Sequence, residues 1–235
     1  MAEGVDIVRC GIEAGCVPES VYVAEEAQAT RDVAALLSTV LDRGSRVFPL
    51  TSGVADRVAD TVTPHPVFGI FSMADVSFDR VPTPSLAVAC VDVRDPGNAG
   101  TVLRTCDAAG VDVVVFSGGT VDPYNPKTVR SSAGSIFHVR LVVTADVASA
   151  IGWLRASGLV VYGTDADGID YTTADLGAPS AFVLGNEAAG LPRQLLDGLD
   201  ATLAIPMAGR AESLNVGVAC AVLCFEARRQ RHGRP

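Results

Sequence analysis

Three short stretches of this chain set polar side chains beside glycine and proline at the ends of apolar runs, and ligand chemistry has to be sought there. The first is Asp92-Val93-Arg94-Asp95-Pro96-Gly97-Asn98-Ala99-Gly100-Thr101-Val102-Leu103-Arg104-Thr105, a strand end, a turn and a helix start carrying an amide (Asn98) and a guanidinium (Arg104). In the second, Phe182-Val183-Leu184-Gly185-Asn186-Glu187-Ala188-Ala189-Gly190-Leu191, an apolar strand runs into a turn where the Glu187 carboxylate stands between two glycines. The third is Ile205-Pro206-Met207-Ala208-Gly209-Arg210-Ala211-Glu212-Ser213-Leu214-Asn215-Val216-Gly217. It starts where Pro206, which cannot donate to a ladder, ends a short apolar segment. Gly209 permits a tight loop, and Ser213 to Asn215 open an apolar run, Val216 to Phe225, of helical length. A strand, a short loop and a helix N-terminus make a ligand cradle, because free backbone N–H groups converge there. Each polar residue also has a plainer structural reading. Arg104 is a surface arginine on an exposed helix face; Asn98, Ser213 and Asn215 are helix N-caps; Glu187 caps a helix terminus.

Taken in order, the stretches match N-x-G-x-x-x-R, G-x-E-x-x-G and I-P-M-x-G-x-x-x-S-L-N-V without a gap. The chain thereby resembles the SpoU (TrmH-like) family of S-adenosylmethionine-dependent RNA ribose 2′-O-methyltransferases, within the SPOUT superfamily, from Leu86 to Arg229. Three ordered motifs are specific where any one alone is not. Methylating a ribose 2′-hydroxyl needs a methyl donor held in line and help in removing a proton from a weakly acidic alcohol. The resemblance implies that Arg104, Asn98, Glu187, Ser213 and Asn215 carry this chemistry. The family's arginine has been proposed as the base once a substrate phosphate engages it. A guanidinium stays protonated, so the milder role for Arg104 is to bind the phosphate and stabilise the developing alkoxide. Asn98 orients groups near the target, Glu187 organises the active-site loop, and Ser213 and Asn215 lie beside the donor and the ribose. The resemblance further implies that S-adenosylmethionine is held mainly by backbone groups at Gly185, Ile205 and Leu214, with Thr164, Leu184 and Met207 beside them. Gly allows close approach, and Ile and Leu sandwich the adenine. No G-x-G-x-x-G follows a strand, so Rossmann NAD and open-sheet methyltransferase readings lose support.

The elements that must position these residues alternate. From Leu86 the pattern is strand (Leu86 to Val91), helix (Asn98 to Ala109), strand (Asp112 to Phe116) and a short helix near Pro126 to Ala133. Then come strand (Val139 to Val143), helix (Val147 to Ala156), strands at Val160 to Gly163, Ala181 to Leu184 and Ala201 to Ile205, and the last helix. Alternation of this kind predicts an α/β fold with a mostly parallel sheet covered on both faces. The resemblance adds a deep trefoil knot in residues 86–235, the SPOUT catalytic domain, which encloses the cofactor and locks the last helix; periodicity alone never suggests a knot. Residues 1–75 read as a small α/β unit: helix Val5 to Ala14, strand Ser20 to Ala24, amphipathic helix Arg31 to Leu41, strand Arg46 to Leu50, helix Val54 to Asp60, strand Val67 to Phe71. It is similar to the L30e-like substrate-binding domain that precedes the catalytic domain in many relatives. Those relatives carry a basic helix and a first strand ahead of the Glu-Gly pair seen here as Glu3-Gly4. A native start further upstream, or a trimmed one, is therefore expected, with weaker RNA affinity. Residues 76–85, with Pro82 and Pro84, read as a linker.

At 235 residues, 49% apolar and without a low-complexity tract, the chain is long enough for one large or two modest domains. No apolar run approaches the ~20 residues of a membrane span. Glu3, Asp6 and Glu13 stand where a secretory signal would be apolar, so a cytoplasmic protein with no membrane partner is expected. The six cysteines form no C-x-x-C pair; Cys220 and Cys224, one turn apart in an apolar helix, read as core. His65, His138 and His232 have no ligand-like spacing, so no metal is expected. The net charge of −9 argues against a nucleic-acid role at first sight. Residues 1–84 hold 6 Arg against 12 acidic groups, so most of the imbalance lies outside the motif region. Arg228, Arg229, Arg231 and Arg234 read as a frayed, solvated helix end, or else as phosphate contacts. The reading is a homodimeric methyltransferase of RNA, with 23S ribosomal RNA first and transfer RNA as the alternative. Its dimer face would be the apolar Val216, Val218, Ala219, Val222 and Leu223. A non-catalytic RNA-binding relative and a small-molecule α/β enzyme are rivals. The intact motif residues speak against the former, the missing Gly-rich fingerprint against the latter.

Overall fold

Two sheets form, and the computed structural model describes them through residues 1–58 and 65–232. The first is four-stranded, in the order β1-β4-β2-β3, from β1 (Ala2–Glu3), β2 (Ser20–Ala24), β3 (Arg46–Leu50) and β4 (Val67–Ile70). β2 and β3 are parallel, while β4 runs antiparallel to β1 and β2. Helices α1 (Val5–Glu13) and α2 (Arg31–Asp42) bury Val8, Ile12, Val33, Leu36 and Val40. A two-residue strand such as β1 has no period to read, which is why sequence reasoning passed over it. α3 (Ser52–Val58) starts earlier than expected, and the expected end at Asp60 lies outside the described residues.

The second sheet has six strands, in the order β10-β8-β9-β5-β6-β7, and all of its pairings are parallel. It comprises β5 (Leu86–Val91), β6 (Val113–Ser117), β7 (Leu141–Thr144), β8 (Val160–Asp170), β9 (Ser180–Leu184) and β10 (Ala201–Ala204). Between and after them come α4 (Pro96–Ala109), α5 (Pro126–Ser131), α6 (Val147–Ala156), α7 (Arg193–Leu196) and α8 (Val216–His232). The period of two sorts β5 onto both faces. Leu86, Val88 and Cys90 join Leu103 and Cys106 of α4 and Leu223 of α8 in one core, whereas Ala87, Ala89 and Val91 meet Ala150, Ile151 and Leu154 of α6 in the other. Burial on both faces makes such strands continuous apolar runs, and hence legible.

β8 is longer than its sequence signal. Its register against β10 jumps from Thr202↔Gly163 to Leu203↔Ile169, so residues 164–168 bulge out of the ladder. Residues 76–85 form a packed strap rather than a free tether: the Phe78 ring stacks on Trp153 at 4.8 Å, and Val76 N–H donates to Leu141 O at 2.8 Å.

The structure corrects the frayed-tail reading. The Arg231 guanidinium donates to Ser85 O at 2.9 Å, Ala178 O at 3.1 Å and Ser180 Oγ at 3.1 Å. Gln230 Oε1 accepts from the N–H groups of Leu176 and Gly177, and Arg228 donates to Ala108 O. α8 is therefore tied down to its last described turn; Arg234 lies outside the described residues. The supposed dimer face changes too. Val216 and Leu223 are buried in the chain's own core, and the exposed apolar side chains of α8 are Val218 and Phe225. No described helix is long and apolar enough to cross a membrane.

Candidate functional site

Because the six strands are parallel, the loops after β5, β9 and β10 leave from one edge of the sheet. The strand order also turns there: β6 and β7 lie on one side of β5, and β9, β8 and β10 on the other. Open parallel sheets bind ligands outside the carboxyl ends of the strands at such a switch point.

α4 begins at Pro96, two residues before the expected start. Asp95 is its N-cap, with Oδ1 accepting the Asn98 N–H at 2.9 Å, and proline occupies the first position, where no donor is missed. Asn98 is thus not the cap, and its side chain is turned to other work. Its Nδ2 donates to Glu187 Oε1 at 3.0 Å, and its Oδ1 accepts from Asn215 Nδ2 at 2.7 Å. Glu187 also accepts the N–H of Arg94 at 3.2 Å and of Asp95 at 3.1 Å, so the carboxylate sits on the positive end of α4. Asn215 caps α8, its Oδ1 accepting from Gly217 N–H at 2.9 Å and Val218 N–H at 3.4 Å. Ser213 is exposed and makes no hydrogen bond among the described residues, so the cap reading holds for Asn215 and fails for Ser213.

One carboxylate orders this network. Burial raises the Glu187 pKa, but hydrogen bonds from Asn98 and from the Arg94 and Asp95 N–H groups outweigh it and hold the carboxyl below its ordinary value. An ionised carboxylate only accepts, which points the Asn98 amino group toward Glu187 and its carbonyl toward Asn215. Asn215 must then donate to Asn98, leaving its own oxygen for α8. Orientation passes from Glu187 to the start of α8 through two amides.

Two residues that sequence reasoning did not single out hold the Glu187 turn. Asn186 Nδ2 donates to Asp92 O at 3.0 Å and Oδ2 at 3.3 Å, while its Oδ1 accepts from the N–H groups of Ala188 and Ala189. Asp92 has φ 59°, a left-handed conformation costing an ordinary L residue about 1–2 kcal/mol. The only local signal was residue type, since Asp and Asn tolerate such turns. Gly185 is packed so closely that an added Cβ would stand 2.5 Å from the Gly190 carbonyl carbon.

The remaining expected residues lie around this centre. Leu184 is buried at the end of β9, and Thr164 Oγ1 donates to Val183 O at 3.2 Å. Ile205 and Met207 are half-buried beyond β10, and Leu214 is partly exposed. Among the described residues, no backbone N–H from Met207 to Leu214 donates within the chain. Apolar side chains beside free backbone donors and a close-packed glycine suit an adenine recognised through the backbone, so these residues fit S-adenosylmethionine. Arg104 stands apart. It is exposed, roughly 9 Å along α4 from Asn98 at 1.5 Å per residue, and its side chain has no hydrogen bond or ion pair among the described residues. The network does not include it.

Away from the site, Cys106 of α4 joins Cys220 and Cys224 of α8, their sulfurs all within 4.8 Å of one another. Burial pushes the Cys106 thiol well up and the Cys90 thiol up to about 12, as core thiols behave. A cleft of about 260 Å³ lined by Asp165, Asp167, Arg193, Asp197 and Thr202 contains none of the motif residues.

A parallel α/β sheet with polar side chains converging at its switch point defines a class of protein that binds and works on its ligand at the carboxyl edge. Within that class, the chain belongs to the SpoU rRNA Methylase family, whose model matches residues 85–225. It is similar to the 23S rRNA (guanosine(2553)-2′-O)-methyltransferase RlmP of Bacillus subtilis, 34% identical over 229 residues that cover 97% of this chain and 88% of that protein. The crystal structure of the SpoU methyltransferase AviRb from Streptomyces viridochromogenes in complex with AdoMet superposes with a TM-score of 0.90 at 29% identity, covering 100% of this chain and 91% of that one. The AdoMet-bound rRNA methyltransferase of Sinorhizobium meliloti gives 0.85 at 35% identity, covering 100% and 87%.

Proposed function

We propose that this chain transfers the methyl group of S-adenosylmethionine to a ribose 2′-hydroxyl of RNA, with 23S ribosomal RNA as the substrate class. The observation that carries this reading is the Asn98–Glu187–Asn215 network, which draws the three motif stretches to one point at the switch of the sheet. When bound, S-adenosylmethionine supplies a methyl carbon on a positively charged sulfur, open to displacement by an oxygen nucleophile. The chain's own residues hold and orient. Gly185 and the donors between Met207 and Leu214 take the cofactor through the backbone, with Ile205 and Leu214 flanking the adenine and Thr164, Leu184 and Met207 completing the wall. Glu187 stays ionised and fixes Asn98, which presents its amide beside the target ribose; Ser213 and Asn215 stand at the mouth of α8. Arg104, whose side chain has no partner among the described residues, binds a substrate phosphate and stabilises negative charge on the 2′-oxygen as its proton passes to solvent water.

Residues 1–75 are proposed as an L30e-like RNA-binding domain, 76–85 as the strap, and 86–235 as the knotted catalytic domain of a cytoplasmic homodimer. Val218 and Phe225 on α8 are the apolar surface such a dimer would cover. Purified protein incubated with methyl-labelled S-adenosylmethionine and unmodified ribosomal RNA should yield a 2′-O-methylated nucleoside at one mapped position. Label on a base, on transfer RNA alone, or on nothing would overturn the reading. Light scattering at micromolar concentration should give the dimer mass, and a monomer would remove that part.

A further inference from the structure

We propose that Asp92 is a positioning residue for this reaction, acting through Asn186 to hold Glu187 on Asn98. The inference rests on the methyltransferase reading and adds to it a residue outside the expected set. Asp92 is one of two non-glycine residues with positive φ among the described ones, and it follows β5 directly at the switch point. Backbone conformation alone would favour glycine here, so the carboxylate needs a reason.

Its contacts supply one. Oδ1 accepts from Arg94 Nε at 2.8 Å, and Oδ2 together with the backbone oxygen accepts from Asn186 Nδ2. The Asp92 N–H donates to Gly118 O at 2.9 Å, anchoring the residue to the loop after β6. A carboxylate accepts only, so it turns the Asn186 amino group toward itself and the carbonyl toward the Ala188 and Ala189 N–H groups. That closes the turn between Gly185 and Gly190 and sends the Glu187 side chain back to the N-terminus of α4. The Arg94 side chain meets Asp92 while the Arg94 N–H meets Glu187, so one residue keeps the two carboxylates in fixed relation. Orientation thus runs Asp92, Asn186, Glu187, Asn98, Asn215, from the end of β5 to the start of α8.

Asp92→Gly is the informative variant, because glycine relieves the left-handed conformation while removing the carboxylate. It should melt within a few degrees of wild type yet turn over about 10- to 100-fold more slowly, the scale of loss when a reacting group is misplaced by an ångström. Asp92→Asn tolerates the same conformation and still accepts from Asn186, so it should recover to within about fivefold of wild type, a neutral acceptor being weaker than a charged one. In a Glu187→Ala background, adding Asp92→Gly should change kcat by less than about twofold, because residues acting as a unit are non-additive. The Glu187 carboxyl, followed by carbon NMR, should titrate closer to an ordinary glutamate in Asp92→Gly than in wild type. Wild-type turnover and an unshifted titration in Asp92→Gly would overturn the inference, as would losses that multiply in the double variant. Should wild type itself transfer no methyl to ribosomal RNA, the functional reading falls, and the titration still decides whether Asp92 positions Glu187.

Discussion

Arg104→Ala removes a side chain that is exposed on α4 and has no hydrogen bond or ion pair among the described residues. Nothing in the fold leans on it, so the stability change should stay within about 0.5 kcal/mol, the range for surface substitutions. At about 2–4 °C per kcal/mol for a chain of this size, the melting temperature should move by less than about 2 °C. Cofactor affinity should be unchanged as well, because the proposed cofactor residues stand on β8, at the end of β9 and on the loops after β9 and β10. Turnover should fall by about 10²- to 10³-fold, or about 3–4 kcal/mol, as when one donor aimed at developing negative charge is lost. Arg104→Lys should stay close to the alanine variant, since a point charge on a flexible stem does not reproduce the bidentate fork. Scanning fluorimetry, calorimetry with S-adenosylmethionine and labelled methyl transfer, run on the same samples, separate the outcomes. Normal methylation by Arg104→Ala would refute the proposed role. A joint loss of stability and cofactor binding would make Arg104 part of the scaffold, against what its exposure implies.

Three further outcomes follow from the geometry. Glu187 is held below its ordinary value, so its contribution to stability is full above the unfolded pKa of ~4.3 and is lost as pH falls through the lower folded one. Wild type should therefore lose melting temperature more steeply than Glu187→Gln on acidification below about pH 5, and parallel slopes would contradict the network. Gly185→Ala places a Cβ 2.5 Å from the Gly190 carbonyl carbon and 2.6 Å from the Leu191 nitrogen, backbone atoms that cannot rotate away. It should lower stability by about 1–3 kcal/mol and weaken S-adenosylmethionine binding, and a variant that melts and binds like wild type would show that the loop gives freely. Native protein treated with iodoacetamide should be alkylated only at the half-buried Cys10 and Cys16, because Cys90, Cys106, Cys220 and Cys224 are buried where the reagent cannot reach them. Mass spectrometry showing an adduct on Cys106 would mean that α4 and α8 separate.

What the amino-acid sequence determined by itself is what neighbouring residues decide. Strands β5, β6 and β9 were legible because burial on both faces leaves unbroken apolar runs, and the helices because of glycine and proline at their ends. Asn98, Glu187 and Asn215 were legible because their spacings lie within single motifs. Tertiary structure alone decided how those stretches meet. The bonds that build the site join Asn98 to Glu187, Asn215 to Asn98 and Asn186 to Asp92, across 89, 117 and 94 residues. Local pattern carries no information at that range, because strand order is set by crossovers that bury whole faces. For the same reason the tail arginine Arg231 proved to bind Ser85, Ala178 and Ser180 rather than solvent, whereas the Asp95 cap of α4 is a local bond across three residues. Asp92 is the clearest case: Arg94 is a neighbour in sequence, but the bonds to Asn186 and to Gly118 exist only once β5, β6 and β9 lie side by side, since each polar group takes the partner that the packed sheet places within reach.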